Sequence, residues 1–516
     1  MKRTRHTPAG SPGRPRRRAS LAALAAAACA AAGLPAPPAS AAADDGITVH
    51  LAGDSTVQSY DPYYVPQAGW GQMIDRYLSD DVTVENHAIG GRSSRTFVEQ
   101  GRLDAILDQI EPGDYLFVQF GHNDASVAIP ERYTSPEDYK EFLRTDYIGG
   151  ARERGAVPVV VTPVSRRSYN STTGRFNVSF PEYVEAAKAV AAEEHVPLVD
   201  LSASSRAYLD TIGPEEAKSV FLHVPAGVYP NRPNGTADDT HFQEYGAIQM
   251  ARLVAQDVSE LDTPLARHVV NAAPPARVPK RPAALKARTV TNEGARLTWK
   301  AVRGADVYRI HRREKHIKGA GFTLATTSTV PVADVSGLKE GTAYELRVTA
   351  VNGAGESAPS RALRVTTRVP DRRYDFGPAG SPVQEGFTEV TPQTLHTAER
   401  GYGFTDTTGM IGRDRGSALD ALQRDFVALF GGRYEFSADV PDGVYAVTAH
   451  VGDLLGSART NLSLEGQDRG GLAGSRSVVK HTFGDVVVND GRLDVVVSGQ
   501  TAHLNGLELT RTGDLP

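Results

Sequence analysis

Cysteine is almost absent. The 516 residues contain one, Cys29, so no intrachain disulfide can form and stability must come from buried cores of ordinary size. Long apolar runs are also missing. Beyond residue 41 no stretch reaches the roughly 18 apolar residues that a membrane-spanning helix needs, so the mature chain is expected to be free of the membrane. There is no basic excess either: 56 Lys+Arg against 61 Asp+Glu leave a net charge of −5. That balance argues against a nucleic-acid partner. Nor does any Gly-x-Ser-x-Gly string occur beyond residue 41, which argues against the strained nucleophile turn of the α/β-hydrolase lipases.

What is plentiful is glycine and proline, 50 and 32 residues. They point to linkers and turn-rich β modules, and the length suggests about three domains. The first 18 residues hold seven basic side chains and no acid, an Ala/Leu-rich stretch runs over 21–34, and Ala39-Ser40-Ala41 forms a small-residue site. Residues 1–41 therefore read as a secretory signal peptide, and the protein is expected to be extracellular. Arg16-Arg17-Arg18 leaves the general secretory and twin-arginine routes both open. Cys29 falls inside this segment, with Ala26 rather than leucine three residues before it, and reads as a signal residue rather than a lipid anchor. Removing seven basic residues and no acid takes the net charge from −5 to −12.

Residues 44–262 alternate between strand and helix patterns. Short β-branched or aromatic runs lie at 47–52, 82–85, 115–120, 157–162 and 196–201, with helical patterns between them at 101–109, 135–149 and 183–194. That alternation predicts a parallel sheet covered by helices on both faces. Residues 243–260 close the domain as an amphipathic helix, with Ala247, Ile248, Ala251, Val254 and Val258 near one face. Residues 263–282 are proline-rich and read as a semi-rigid linker. Over 283–367 and 371–512 the pattern turns to short alternating strands, which predicts two all-β domains. Trp299, Tyr308, Leu338 and Tyr344 are spaced as sandwich-core residues in the first of them.

Three strings in the α/β domain carry chemistry: GDSTVQ at 53–58, GHND at 121–124 and DDTH at 238–241. Ser55 follows the first strand at its carboxyl end, where open α/β sheets place ligands. A lone Gly-Asp-Ser is more often a helix cap, but its position and its companions favour a nucleophile. His241 is the candidate base, with Asp238 three residues earlier to orient it. Asp239 is the alternative orienting acid, and capping of the following helix by Asp238-Asp239-Thr240 is compatible with either. Asn123, just past the third strand, can donate its amide to an oxyanion. Gly91 in NHAIGGRSSRTF can present an unobstructed backbone N–H, and the Ser55 N–H would complete the set. His122 and Asp124 read as loop supports. Arg92, Arg95, Arg166 and Arg167 fall on loops at the same edge and are candidates for binding substrate carboxylates. Trp70 is a weaker candidate for the pocket wall, because core packing is the more common fate of a tryptophan.

In order and spacing these blocks resemble the SGNH (GDSL-type) hydrolase superfamily. The longer strings GDSTVQSY, NHAIGGRSSRTF, TPVSRRSY and YPNRPNGTADDTHFQEYGA resemble the bacterial rhamnogalacturonan acetylesterases, carbohydrate esterase family 12. Likewise LTW, VYRI and GLKEGTAYELRVTAVN resemble a fibronectin type III domain, and YDFGPAG, GYGF and HLNGLEL resemble galactose-binding-like domains of bacterial esterases and agarases. The resemblance implies a flavodoxin-like α/β hydrolase domain followed by a fibronectin type III sandwich and a galactose-binding-like jelly roll. It implies a Ser55–His241–Asp238 triad with Gly91 and Asn123 in the oxyanion hole, no metal or organic cofactor, and an acetylated plant polysaccharide as substrate. The fibronectin type III domain would act as a spacer and the last domain would bind carbohydrate. Two other readings stay open: a broader acyl or acetylxylan esterase, and a carbohydrate-binding surface protein with an inactive esterase domain. No long apolar lid surrounds the motifs, which counts against a lipase. The intact set of reactive side chains counts against an inactive scaffold.

Overall fold

Five short strands of the first domain, all but the edge strand Val82–Asn86 largely apolar, meet in one parallel sheet. They are β1 (Ile47–Gly53), β2 (Val82–Asn86), β3 (Tyr115–Gln119), β4 (Val157–Val161) and β5 (Leu198–Val199). The computed structural model describes residues 46–416 and 420–515; the expected signal peptide, with Cys29, lies outside them. The strand order is β2-β1-β3-β4-β5, the flavodoxin-like order. Every residue of β3 is buried, as a central strand covered on both faces requires.

Side-chain alternation along the strands divides the core in two. Val49, Leu51, Phe117, Val159 and Val161 point to one face, where the last helix of the domain, Glu244–Ser259, packs on them. Ala52, Leu116, Val118 and Val160 point to the other, against Phe97, Tyr139, Tyr147 and Tyr183. The chain runs from β1 outward to β2, then returns to β3 on the other side of β1. The carboxyl ends of β1 and β3 therefore lie together at the switch point, with Gly53 paired to Gln119. Ligands of open α/β sheets bind at such a crevice.

The second module has two facing sheets. Ala283–Val290, Ala295–Lys300 and Val332–Val335 form one; Val307–Glu314 and Ala343–Asn352 lead the other. Trp299, Tyr308, Leu338 and Tyr344 are all buried between them. The third module is built on a large sheet whose longest members, Gly443–Leu464 and Gln467–Val488, form one hairpin. Its core gathers Tyr374, Phe376, Phe404, Tyr434 and Phe436.

Two expectations change at the junction of the first two modules. Residues 263–282, read as a semi-rigid linker, are docked on the hydrolase over part of their length. Leu265, in a short 3-10 turn over Pro264–His268, is buried in the hydrolase core, and Val270 N–H donates to the Tyr77 carbonyl at 2.8 Å. The apolar residues between the prolines dock the segment. The closing helix, read as one-sided, also buries Gln249 and Arg252. The second module covers them: Arg252 Nη2 lies 2.8 Å from both carboxylate oxygens of Asp306, and Gln249 Nε2 donates to Asp306 at 3.0 Å. Val307 and Val351 of that module join the hydrolase core cluster.

Candidate active site

The turn after β1 is set by Asp54. Its buried carboxylate accepts from the Thr56 backbone N–H at 2.9 Å and from the Thr56 hydroxyl at 2.8 Å. Its carbonyl accepts from Val57 and Gln58. This holds Ser55 at the open end of the strand. Gly53 makes room for the turn, since a Cβ there would stand 2.6 Å from Val57 Cγ2 and 3.0 Å from the Gln119 carbonyl oxygen.

His241 reaches Ser55 from an unexpected element. Residues Thr236–Gln243 form a strand whose pairing to Phe221–Val224 is irregular between Asp238 and Phe242. Such an irregularity re-aims side chains. The capping role considered for Asp238-Asp239-Thr240 is not observed: the helix that follows has Gln243 at its N-cap, without a side-chain bond. Instead Asp238 accepts from the Thr240 N–H at 2.7 Å and the His241 N–H at 3.1 Å, and stands 2.7 Å from His241 Nδ1. His241 Nε2 lies 2.9 Å from Ser55 Oγ. The network assigns the proton to Nδ1, leaving Nε2 to accept from serine. Burial pushes the Asp238 carboxyl up, but the imidazole and the two backbone donors outweigh it and hold the group well below the usual carboxylate range. Asp239 is bound elsewhere, to Arg167 at 3.1 Å and His223 at 2.7 Å.

In the same cleft as the serine, Asn123 is held at both ends. Its Nδ2 donates to the Arg92 carbonyl at 2.9 Å, and its Oδ1 accepts from Arg132 Nη1 at 3.0 Å. The guanidinium fixes which way the amide faces, because it can only donate. One amide hydrogen is then left for a ligand. Gly91 sits beside it at φ +78°, a left-handed conformation that favours glycine. Asp124 supports the loop, accepting from the Ser94 N–H, the Ser94 hydroxyl and the Gly121 N–H. His122 packs edge-on against Phe180 and stands 3.5 Å from Asp54.

Ser55, Gly91, Asn123 and His241 line one cleft of about 690 Å³. Of the residues considered for substrate contact, Arg166 lines it with no carboxylate partner among the described residues. The other four do not. Arg92 is tied to the Gly90 carbonyl and Gln100. Arg95 donates to the carbonyls of Pro130, Glu131 and Tyr133 and so pins the loop that carries Arg132. Arg167 bonds Asp239 and the Pro214 carbonyl. Trp70 is buried under the Ser55 turn, its indole N–H donating to Gln119 at 2.8 Å.

The residues not anticipated are Arg132, Tyr60, Tyr64 and Phe180, all in the cleft wall. Tyr60 closes the string GDSTVQSY, but Arg132, Tyr64 and Phe180 lie outside the motif strings, and only their nearness in space marks them. Among the described residues, no group of three His, Cys, Asp or Glu is arranged to hold a metal ion, and no helix is long and apolar enough to cross a membrane.

Comparison with known proteins adds three family matches. Residues 51–247 match the GDSL-like lipase/acylhydrolase family, 280–366 the fibronectin type III domain, and 372–508 the β-agarase/YXIM esterase-like, galactose-binding domain-like family. Rhamnogalacturonan acetylesterase RhgT of Bacillus subtilis (strain 168) is 45% identical over 225 residues, which is 44% of this chain and 95% of the relative. The probable rhamnogalacturonan acetylesterase YesY of the same strain is 48% identical over 223 residues, 43% of this chain and 97% of the relative. Among solved structures, protein YxiM of Bacillus subtilis is similar at 33% identity, covering 41% of this chain and 56% of that one, with a TM-score of 0.37.

Proposed function

The chain belongs to the GDSL-type (SGNH) hydrolase family and groups there with rhamnogalacturonan acetylesterases, which makes it a carboxylic ester hydrolase; from that premise we propose that it is a secreted enzyme removing acetyl groups from rhamnogalacturonan. Ser55 Oγ attacks the acetyl carbonyl while His241 Nε2 takes its proton. Asp238 stabilises the imidazolium that results. Negative charge on the carbonyl oxygen is met by the backbone N–H groups of Ser55 and Gly91 and the free amide hydrogen of Asn123. His241 then gives that proton to the departing sugar oxygen, which leaves as a hydroxyl, and water, activated by the same imidazole, releases acetate from the acetyl-serine.

The observation that carries this reading is the unbroken chain from Ser55 Oγ through His241 to Asp238, at 2.9 and 2.7 Å, opening on a cleft with amide donors. The substrate is supported by the relatives named above and by the unpaired Arg166 in the cleft, whose fork suits a galacturonate carboxylate. Secretion is supported by the basic, then apolar, then small-residue order of residues 1–41. The galactose-binding-like module would hold the enzyme on its polymer and raise the local concentration of ester.

The deciding experiment is acetate release from acetylated rhamnogalacturonan and acetylated xylan, side by side. Selective release from the pectic polymer is the expected result; release from xylan alone would overturn the substrate. Turnover of a long-chain ester in preference to an acetyl ester would point to a broader acyl esterase.

The oxyanion arrangement makes its own prediction. Asn123→Ala should lower kcat on a small acetyl ester by about 10²–10³. Arg132 acts through Asn123, so Arg132→Ala should cost about tenfold in kcat with KM little changed. Arg132→Lys, which still donates to Oδ1, should recover part of that loss.

A further inference from the structure

A second groove, of about 1040 Å³, lies between the proline-rich strap at 275–283 and the strand end of the second module at 300–304. Five cations line it: Arg277, Lys280, Arg281, Lys300 and Arg303. No Asp or Glu lines it, and none of the five is paired with a carboxylate among the described residues. Asp306, the acid nearest to Arg303 in sequence, is occupied by Arg252. Elsewhere the chain pairs many of its arginines, as with Arg144, Arg152, Arg309 and Arg415. In a protein of net charge −5, five unpaired cations in one concavity are a departure that an anionic ligand would explain.

The groove has a fixed frame. Asn352, buried at 2% exposure, donates from Nδ2 to the Arg277 carbonyl of the strap and to the Gly304 carbonyl of the loop, both at 3.0 Å. It joins the two walls. Prolines 275, 279 and 282 stiffen the strap, so ordering it on a ligand costs little entropy. Val278, Pro279 and Val302 give apolar surface between the cations, suited to the C–H faces of sugar rings. Charged forks around an apolar floor match a carboxylate-bearing sugar chain better than a small anion.

We propose that this groove is a second binding site for the polymer, taking the carboxylates of a polyuronate chain apart from the Ser55 cleft. The identity of the ligand rests on the substrate reading above. An acidic protein and an acidic polymer repel at long range. A local concentration of cations overcomes that repulsion where it sits and keeps the chain bound between turnovers, raising the effective concentration of ester.

The test uses the full chain and two variants: Arg277→Gln/Lys280→Gln/Arg281→Gln on the strap, and Lys300→Gln/Arg303→Gln on the loop. Retention on immobilised, de-esterified polygalacturonate is measured against neutral galactan. Turnover of a small acetyl ester, which does not need the groove, serves as the folding control. Retention on polygalacturonate should weaken about tenfold or more in each variant, the scale of a few lost ion pairs. The wild-type advantage should fade at high salt, and small-ester turnover should stay within about twofold. Equal retention of variants and wild type overturns the proposal. So does wild-type retention that is absent or no stronger than on galactan, or charge-dependent retention seen with duplex DNA alone. Retention lost in the variants while no chain releases acetate from rhamnogalacturonan would keep the groove and reject the substrate. Acetate release with unchanged retention would do the reverse.

Discussion

His241→Ala should reduce kcat/KM on a small acetyl ester by roughly 10⁵–10⁶, and Asp238→Asn by roughly 10³–10⁴. Asp239→Asn should cost no more than about threefold. The middle variant is the informative one. Asp238 makes three bonds to its neighbours, two to backbone N–H groups and one to His241 Nδ1. Asparagine keeps an oxygen for the backbone but turns an NH₂ toward Nδ1. The imidazole then carries its proton on Nε2 and can no longer accept from Ser55. The fold of the turn survives while the proton path is cut, so kcat should fall with little change in melting temperature. Asp239 is one residue away and also contacts a histidine, but that is His223, which does not line the cleft. Initial rates for the three variants decide the matter. Equal losses at Asp238 and Asp239 would remove Asp238 from the role assigned to it.

The parts of the site that were legible in the sequence are those whose chemistry is local. Ser55 follows a strand readable from its β-branched run, and Asp238 and His241 are close enough in sequence to be read as a pair. Asn123 and Gly91 sit just past strands that are equally plain. The strand carrying His241 was not legible, because Thr236–Gln243 is mostly polar and half-buried and has no clean alternation. Its geometry comes from pairing with Phe221–Val224 and Gln67–Ala68. The fates of the arginines were hidden for a related reason. Arg95 looks like a free cation at the catalytic edge, yet carbonyls more than thirty residues away claim its guanidinium. Arg132 has no motif around it at all. Its place is set by that same Arg95-pinned loop, so the sequence holds the information only through the tertiary fold.

The junction of the first two modules carries the other large effect. Arg252→Ala or Asp306→Ala should each destabilise the protein by about 3–5 kcal/mol, because each leaves an opposite charge buried without its partner. The side chains of Arg252 and Asp306 are only 9% and 10% exposed. The carboxylate takes two 2.8 Å bonds from Nη2, and the guanidinium also lies over the Tyr77 ring. The apolar double variant Arg252→Met/Asp306→Leu should be less damaging than either single change, since it removes both charges and keeps the volume. Thermal unfolding checks the order, and limited proteolysis checks the cause: the single variants should become cleavable within 263–282, where Leu265 and the Val270 N–H now hold the segment on the hydrolase. Singles that melt like the wild type and resist cleavage would mean that the second module is merely tethered, the spacer that its resemblance to a fibronectin type III domain implies. Destabilised singles with a recovered double would make the hydrolase and the second module one mechanical body. The basic groove between strap and module would then hold a fixed place relative to the Ser55 cleft, as a polymer bound at both sites requires.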